Sequence, residues 1–158
     1  MAGYKTHTAV SILLGLVFYL SAYVFSRYVS LVPQEFFSHE GLLRLFATVL
    51  FFGLFPDIDT NSVGSHFLYS LIFILLFLLI LLGNYEEAAF LGLFSLIPVL
   101  SRHRGWTHSL FCAFFIPLLL TAIPVFLYGR DSLVQCMPYT LAGICAYMGH
   151  LVFDRIFF

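Results

Sequence analysis

Residues 67–83 read FLYSLIFILLFLLILLG, an unbroken apolar run without one charged side chain. A run of this kind approaches the length of about 20 residues with which a helix crosses the hydrocarbon core of a bilayer. It does not alternate between polar and apolar positions as a membrane barrel strand would. Working outward, runs of the same character lie at 8–26, 42–56, 88–100, 109–128 and 133–154. Between them stand SRYVSLVPQEFFSHEG, PDIDTNSVGSH, GNYEE, SRHRGWTH and YGRDS, all rich in helix-breaking and turn-forming residues. The expected fold is therefore all-α, a polytopic transmembrane bundle of about six helices forming a single domain over 1–158. Its weakest spans are 88–100, which is short and contains Pro98, and 42–56, which carries Arg44 near its start and ends in a Pro-Asp turn.

Composition agrees. Of 158 residues, 61% are hydrophobic and 9% charged, far from the makeup of a soluble globular domain. A net charge of -1 offers no basic surface, so no nucleic-acid partner is expected. Cys112, Cys136 and Cys145 all fall inside apolar runs and form no CxxC pair; they read as buried, inert thiols outside any disulfide framework. Lys5 precedes the apolar run 9–25 in the manner of a signal peptide, but no small-x-small cleavage site follows, and the segment reads as a retained first helix.

If every run crosses once, the polar separators can be assigned to sides by parity alone. His7, Pro56-Asp57-Ile58-Asp59, SRHRGWTH (101–108) and His150 to Asp154 then share one face, while residues 27–40, 84–87 and 129–131 share the other. Four histidines and three aspartates meet on the first face: His7, Asp57, Asp59, His103, His108, His150 and Asp154. Ionisable groups at membrane depth cost about 2.5–3.5 kcal/mol each near a helix centre, less at helix ends, so those retained there are paired, metal-bound or catalytic. Imidazole and carboxylate together suit zinc, manganese or iron(II). Seven such groups exceed the needs of one tetrahedral zinc, so one or two divalent ions are expected.

Local spacing adds detail. His150 and Asp154, at i and i+4, share one face of a helix. Asp57 and Asp59 follow Pro56 and, in an extended turn, would point the same way. His103 and His108 flank Gly105 in a segment suited to bending around an ion. His7 sits between Thr6 and Thr8, where a threonine could cap the first helix. Arg102 and Arg104 present guanidinium forks that match phosphate oxygens, and a fifth helix beginning near Thr107 would add amides to the same anion site. Arg102, Arg104 and Asp59 are the expected catalytic residues, with the identity of the general base left open. In a two-metal hydrolase one ion acidifies water and another steadies the leaving oxygen, which points to phosphoester cleavage.

Plainer readings compete with these. A histidine in a membrane bundle can serve only to hydrogen-bond a neighbouring helix. Arg102 and Arg104 can act as topology charges, and Trp106 as an interfacial anchor. Ser65 and His66 stand at the same face with either role open, whereas Glu35, His39, Glu40, Glu86, Glu87 and Asp131 read as solvated loop residues.

The ordered pattern T-H (Thr6-His7), L-F-P-D-I-D (54–59), R-H-R-G-W-T-H-S (102–109) and G-H-L-V-F-D (149–154) resembles the YdjM-type inner-membrane proteins, described as metal-dependent hydrolases. The likeness covers essentially the whole chain, and its most specific part is the pairing of RHRGWTHS with GHLVFD. It implies a bacterial inner-membrane location and a metal role for His7, Asp57, Asp59, His103, His108, His150 and Asp154. A looser likeness, through His150 and Asp154 alone, is to zinc-dependent phospholipase C.

Taken together, the expected activity is metal-dependent hydrolysis of a phosphorylated lipid or other amphiphile reached from the bilayer. A metal-free phosphatase of the phosphatidic-acid type is the alternative: Ser101-Arg102 and His108 fit its S-R-x5-H element, but Cys112 stands where its aspartate belongs. A metal-binding transporter is a third reading, disfavoured by ligands at one face instead of the midplane. Lys5, Arg102, Arg104 and Arg155, against Arg27, Arg44 and Arg130 opposite, lean toward a cytoplasmic site face.

Overall fold

A computed structural model describes residues 4–29, 32–60, 62–99 and 106–157. Among these there are six α-helices and no strand: α1 (Tyr4–Ser26), α2 (His39–Leu54), α3 (Val63–Leu81), α4 (Tyr85–Val99), α5 (Leu110–Tyr128) and α6 (Ser132–Phe157). Short 3₁₀ turns cover Gln34–Phe37, Phe55–Asp59 and Trp106–His108. Five spans are long and apolar enough to cross a membrane: α1, α2 continued through its 3₁₀ turn to Asp59, α3, α5 and α6. At 15 residues α4 spans about 22 Å, short of a hydrocarbon core of about 30 Å. It nevertheless returns the chain: α3 and α4 pack as a hairpin, and Phe94 of α4 stacks on Phe55 at 5.5 Å between ring centroids.

The bundle is organised around α6, which packs on α5, α2 and α1. Its inward stripe includes Ala142, Ala146, Tyr147, His150 and Leu151, all buried, and small residues let neighbours come close. A Cβ on Gly149 would lie 2.3 Å from Leu14 Cδ1, and one on Gly53 of α2 would lie 1.8 Å from Ser11 Oγ. These two absent side chains draw α1 against both α6 and α2. Lower in the bundle, Thr121 and Thr140 join α5 to α6 through a 2.7 Å hydroxyl–hydroxyl bond.

Several local expectations are corrected. The 3₁₀ turn replaces the extended turn at Asp57 and Asp59; with three residues per turn, i and i+2 do not point the same way. The first helix begins at Tyr4, and Thr8 Oγ1 donates to the Tyr4 carbonyl at 2.8 Å instead of capping. The fifth helix starts at Leu110 with Ser109 as its cap, accepting from the Cys112 amide, so Thr107 lies before the helix and not at its first turn. Of the three thiols only Cys112 is buried; Cys136 is half-buried and Cys145 is exposed.

Candidate metal centre

The polar cluster forms where α1 and α6 meet the two 3₁₀ turns that follow α2 and precede α5. Its construction begins with Pro56. At the end of a helix the last carbonyls lose their intrahelical partners. Pro56, three residues after Gly53, has no N–H to offer the Gly53 carbonyl as an i+3 donor. His150 Nδ1 lies 2.7 Å from the Gly53 oxygen. A carbonyl only accepts, so Nδ1 carries the ring proton and Nε2 is left with a bare lone pair. That Nε2 is buried, makes no hydrogen bond, and points into the cluster.

Two aspartates and a second histidine surround it. His150 Nε2 lies 3.4 Å from Asp154 Oδ2 and 3.7 Å from Asp57 Oδ1. His108 Nε2 lies 3.4 Å from the same Asp154 oxygen and 3.8 Å from the same Asp57 oxygen. These four residues each turn one ligand atom toward a common point, all within 4.8 Å of one another. The separations are long for charge-assisted hydrogen bonds, which run about 2.7–2.9 Å. They approach the edges of a tetrahedron around an ion with bonds of about 2.0–2.1 Å, which are about 3.3–3.4 Å. The donor set of two imidazoles and two carboxylates fits a divalent transition metal.

His7 stands one step behind. Its ring stacks on His150 at 3.8 Å, and its Nε2 approaches the other oxygen of Asp154, Oδ1, at 3.3 Å. The carboxylate of Asp154 thus divides its oxygens, one toward His7 and one toward the tetrad. Asp59 is turned to a different neighbour: Oδ2 accepts from Thr107 Oγ1 at 3.1 Å. The turn that carries both aspartates is braced by Thr60, whose amide and hydroxyl both donate to the Asp57 carbonyl, at 3.0 and 2.7 Å. Ser65 Oγ in turn donates to the Thr60 carbonyl at 2.5 Å.

Of the residues expected from sequence, Asp57, His108, His150 and Asp154 come together as the tetrad, with His7 and Asp59 beside it. Arg102, His103 and Arg104 lie outside the described residues. Reading the sequence missed three contributors: the Gly53 carbonyl, Thr107 and Tyr147. Tyr147 is fully buried and donates its hydroxyl to the Thr107 carbonyl at 2.5 Å, across 40 residues of chain. Its position three residues before His150, on the same face of α6, was the available signal.

The groups nearest the tetrad differ in access to the outside. His7 and His150 are 1% exposed, whereas the side chains of Asp57, His108 and Asp154 are 20%, 22% and 23% exposed.

Neither a curated protein nor a solved structure matches this chain. The family model described as "YdjM inner membrane protein" matches residues 1–157. With the match running across all six helices and every residue of the tetrad, the chain belongs to the YdjM inner membrane protein family.

Proposed function

We propose that the protein is a membrane-embedded, metal-dependent hydrolase that cleaves a phosphoester of a lipid or other amphiphile. The observation that carries this reading is the buried, unbonded Nε2 of His150, held with three further ligand atoms that all lie within 4.8 Å of one another. Asp57, His108, His150 and Asp154 would hold one divalent ion, zinc, manganese or iron(II). Such an ion supplies Lewis-acid polarisation of a phosphoryl oxygen and an acidified water. The chain's own residues prepare the site: the Gly53 carbonyl fixes the tautomer of His150, and His7 steadies the second oxygen of Asp154. Arg102 and Arg104, close before Trp106 in sequence, bring guanidinium donors suited to phosphate oxygens.

An amphiphilic substrate is supported by the place of the tetrad at the ends of candidate membrane spans. A separate apolar cavity of about 380 Å³ lies among α2, α3, α4 and α5, with Phe52, Glu87 and Phe94 in its wall and no residue of the tetrad. That volume falls within the range of ordinary ligand pockets. The face is proposed to be cytoplasmic, following the small excess of Lys and Arg on the site side.

The test is elemental analysis of the detergent-purified protein beside a His108→Ala, Asp154→Ala variant, followed by phosphate release from phosphatidic acid and isoprenoid phosphates. Near-stoichiometric metal in the native chain, none in the variant, and turnover abolished by EDTA and restored by metal are expected. Turnover that persists in EDTA, or metal-free protein after reconstitution, would overturn the reading. A second reading, a closed site that only ties helix ends together, is favoured by the count of four protein ligands, the number typical of structural zinc. It predicts bound metal and a fall in melting temperature on chelation, with no hydrolysis of any substrate.

A further inference from the structure

The hydroxyl of Thr107 has one proton and two polar neighbours. Asp59 Oδ2 lies 3.1 Å away and His108 Nδ1 lies 3.3 Å away. An ionised carboxylate can only accept, so the threonine proton goes to Asp59. The lone pair of Oγ1 is then turned to His108 Nδ1, which must carry its own proton to complete the bond. That leaves His108 Nε2 unprotonated, and Nε2 is the atom facing Asp57 and Asp154. A metal-binding histidine needs this tautomer, and it is ordinarily set by the hydrogen bond at the other ring nitrogen.

We propose that Thr107 is a positioning residue that passes the acceptor character of Asp59 to His108, setting the tautomer and orientation of that ligand. Asp59 acts through this relay and not as a ligand of the tetrad. The backbone of Thr107 is itself clamped: it is fully buried, and its carbonyl accepts from Tyr147 on the helix that carries His150 and Asp154. One threonine therefore ties the turn after α2, the turn before α5 and the ligand face of α6. The two histidines of the tetrad are set by different devices, His150 by a backbone carbonyl and His108 by a hydroxyl relay.

This inference rests on the proposed metal site, and the experiment separates the two. Cobalt(II) is titrated into metal-stripped protein in detergent, reading both the dissociation constant and the visible absorption spectrum. Native protein, Thr107→Val, Thr107→Ser, Asp59→Asn and the Thr107→Val, Asp59→Asn double variant are compared. Thr107→Val, which keeps the shape and removes the hydroxyl, is expected to weaken binding about 10–100-fold, the usual effect of losing a partner behind a ligand. It should also alter the spectrum, while Thr107→Ser restores both. Asp59→Asn should cost a similar factor, and the double variant no more than the larger single loss. A loss of melting temperature with unchanged affinity and spectrum in Thr107→Val would overturn the relay, as would additive losses in the double variant. If Thr107→Val does not fold, Asp59→Asn and Thr107→Ser decide: native affinity in Asp59→Asn overturns it. Native protein that fails to bind cobalt sinks the metal site itself, a result distinct from any of these.

Discussion

Helices α3 and α6 are both long enough to cross a membrane, yet they do opposite work. The mean hydropathy of α3 is among the highest of the five spans, and only 22% of its most apolar stretch is buried. That of α6 is the lowest, and 44% of the corresponding stretch is buried. The two least apolar spans, α6 and α2, are the two most buried, but the order does not extend to the rest: α1, less apolar than α3 and α5, is the least buried at 11%. In water a greasy helix belongs inside. In a bilayer the outside is the greasy side, and the interior is where small residues and paired polar groups can be kept. Of the candidate site residues, His150, Asp154 and Asp57 sit on the two least apolar spans, whereas His7 belongs to α1 and His108 to the turn before α5.

The strongest test of this contrast is on the ligand face of α6. His150→Ala removes the buried nitrogen and leaves Asp57, Asp154 and His108 without their central partner. Elemental analysis is expected to show bound metal falling from near one equivalent to trace. Retention of metal would mean that α6 is central for packing and not for chemistry.

A smaller effect is expected where α2 and α1 touch. Gly53→Ala places a methyl group 1.8 Å from Ser11 Oγ, which forces the helices apart. Overpacking of this kind typically costs about 1–3 kcal/mol, readable as a lower midpoint in a denaturation series in mixed micelles. The change should also weaken metal binding, because the Gly53 carbonyl that orients His150 moves with the helix. Unchanged stability and metal content would show that the close approach of α1 is not needed to build the site.

The least effect belongs to α3. Phe73 is 71% exposed on the lipid-facing side, and Phe73→Ala is expected to change stability by no more than about 0.5 kcal/mol and leave metal content unaltered. A large loss would place an additional partner against α3 and narrow the difference between the two helices.

Much of the fold was legible in the sequence because each feature that decides it is local. Runs such as 67–83 announce spans by length and polarity, and parity then gathers the separators carrying His7, Asp57, His108 and His150 on one side. The i, i+4 spacing of His150 and Asp154 needed no more than a helix. The two aspartates were misjudged because PDID reads equally as extended chain or 3₁₀ turn, and only the latter sends Asp57 to the tetrad and Asp59 to Thr107. Tyr147 and the Gly53 carbonyl were invisible for a different reason: their partners lie 40 and 97 residues away in the chain.

The sequence by itself determined a helical membrane protein, the face on which its polar residues gather, and the inventory of imidazoles and carboxylates available there. Hydrophobic length and crossing parity suffice for those conclusions, since the bilayer acts on each segment separately. The tertiary structure decided which of those groups share a point in space, which oxygen of Asp154 faces His7, and which nitrogen of each ring is free. Those choices depend on how closely α1 can approach at Gly53 and Gly149, and on the bond between His150 and the Gly53 carbonyl. Both are contacts between distant segments, which no local pattern records.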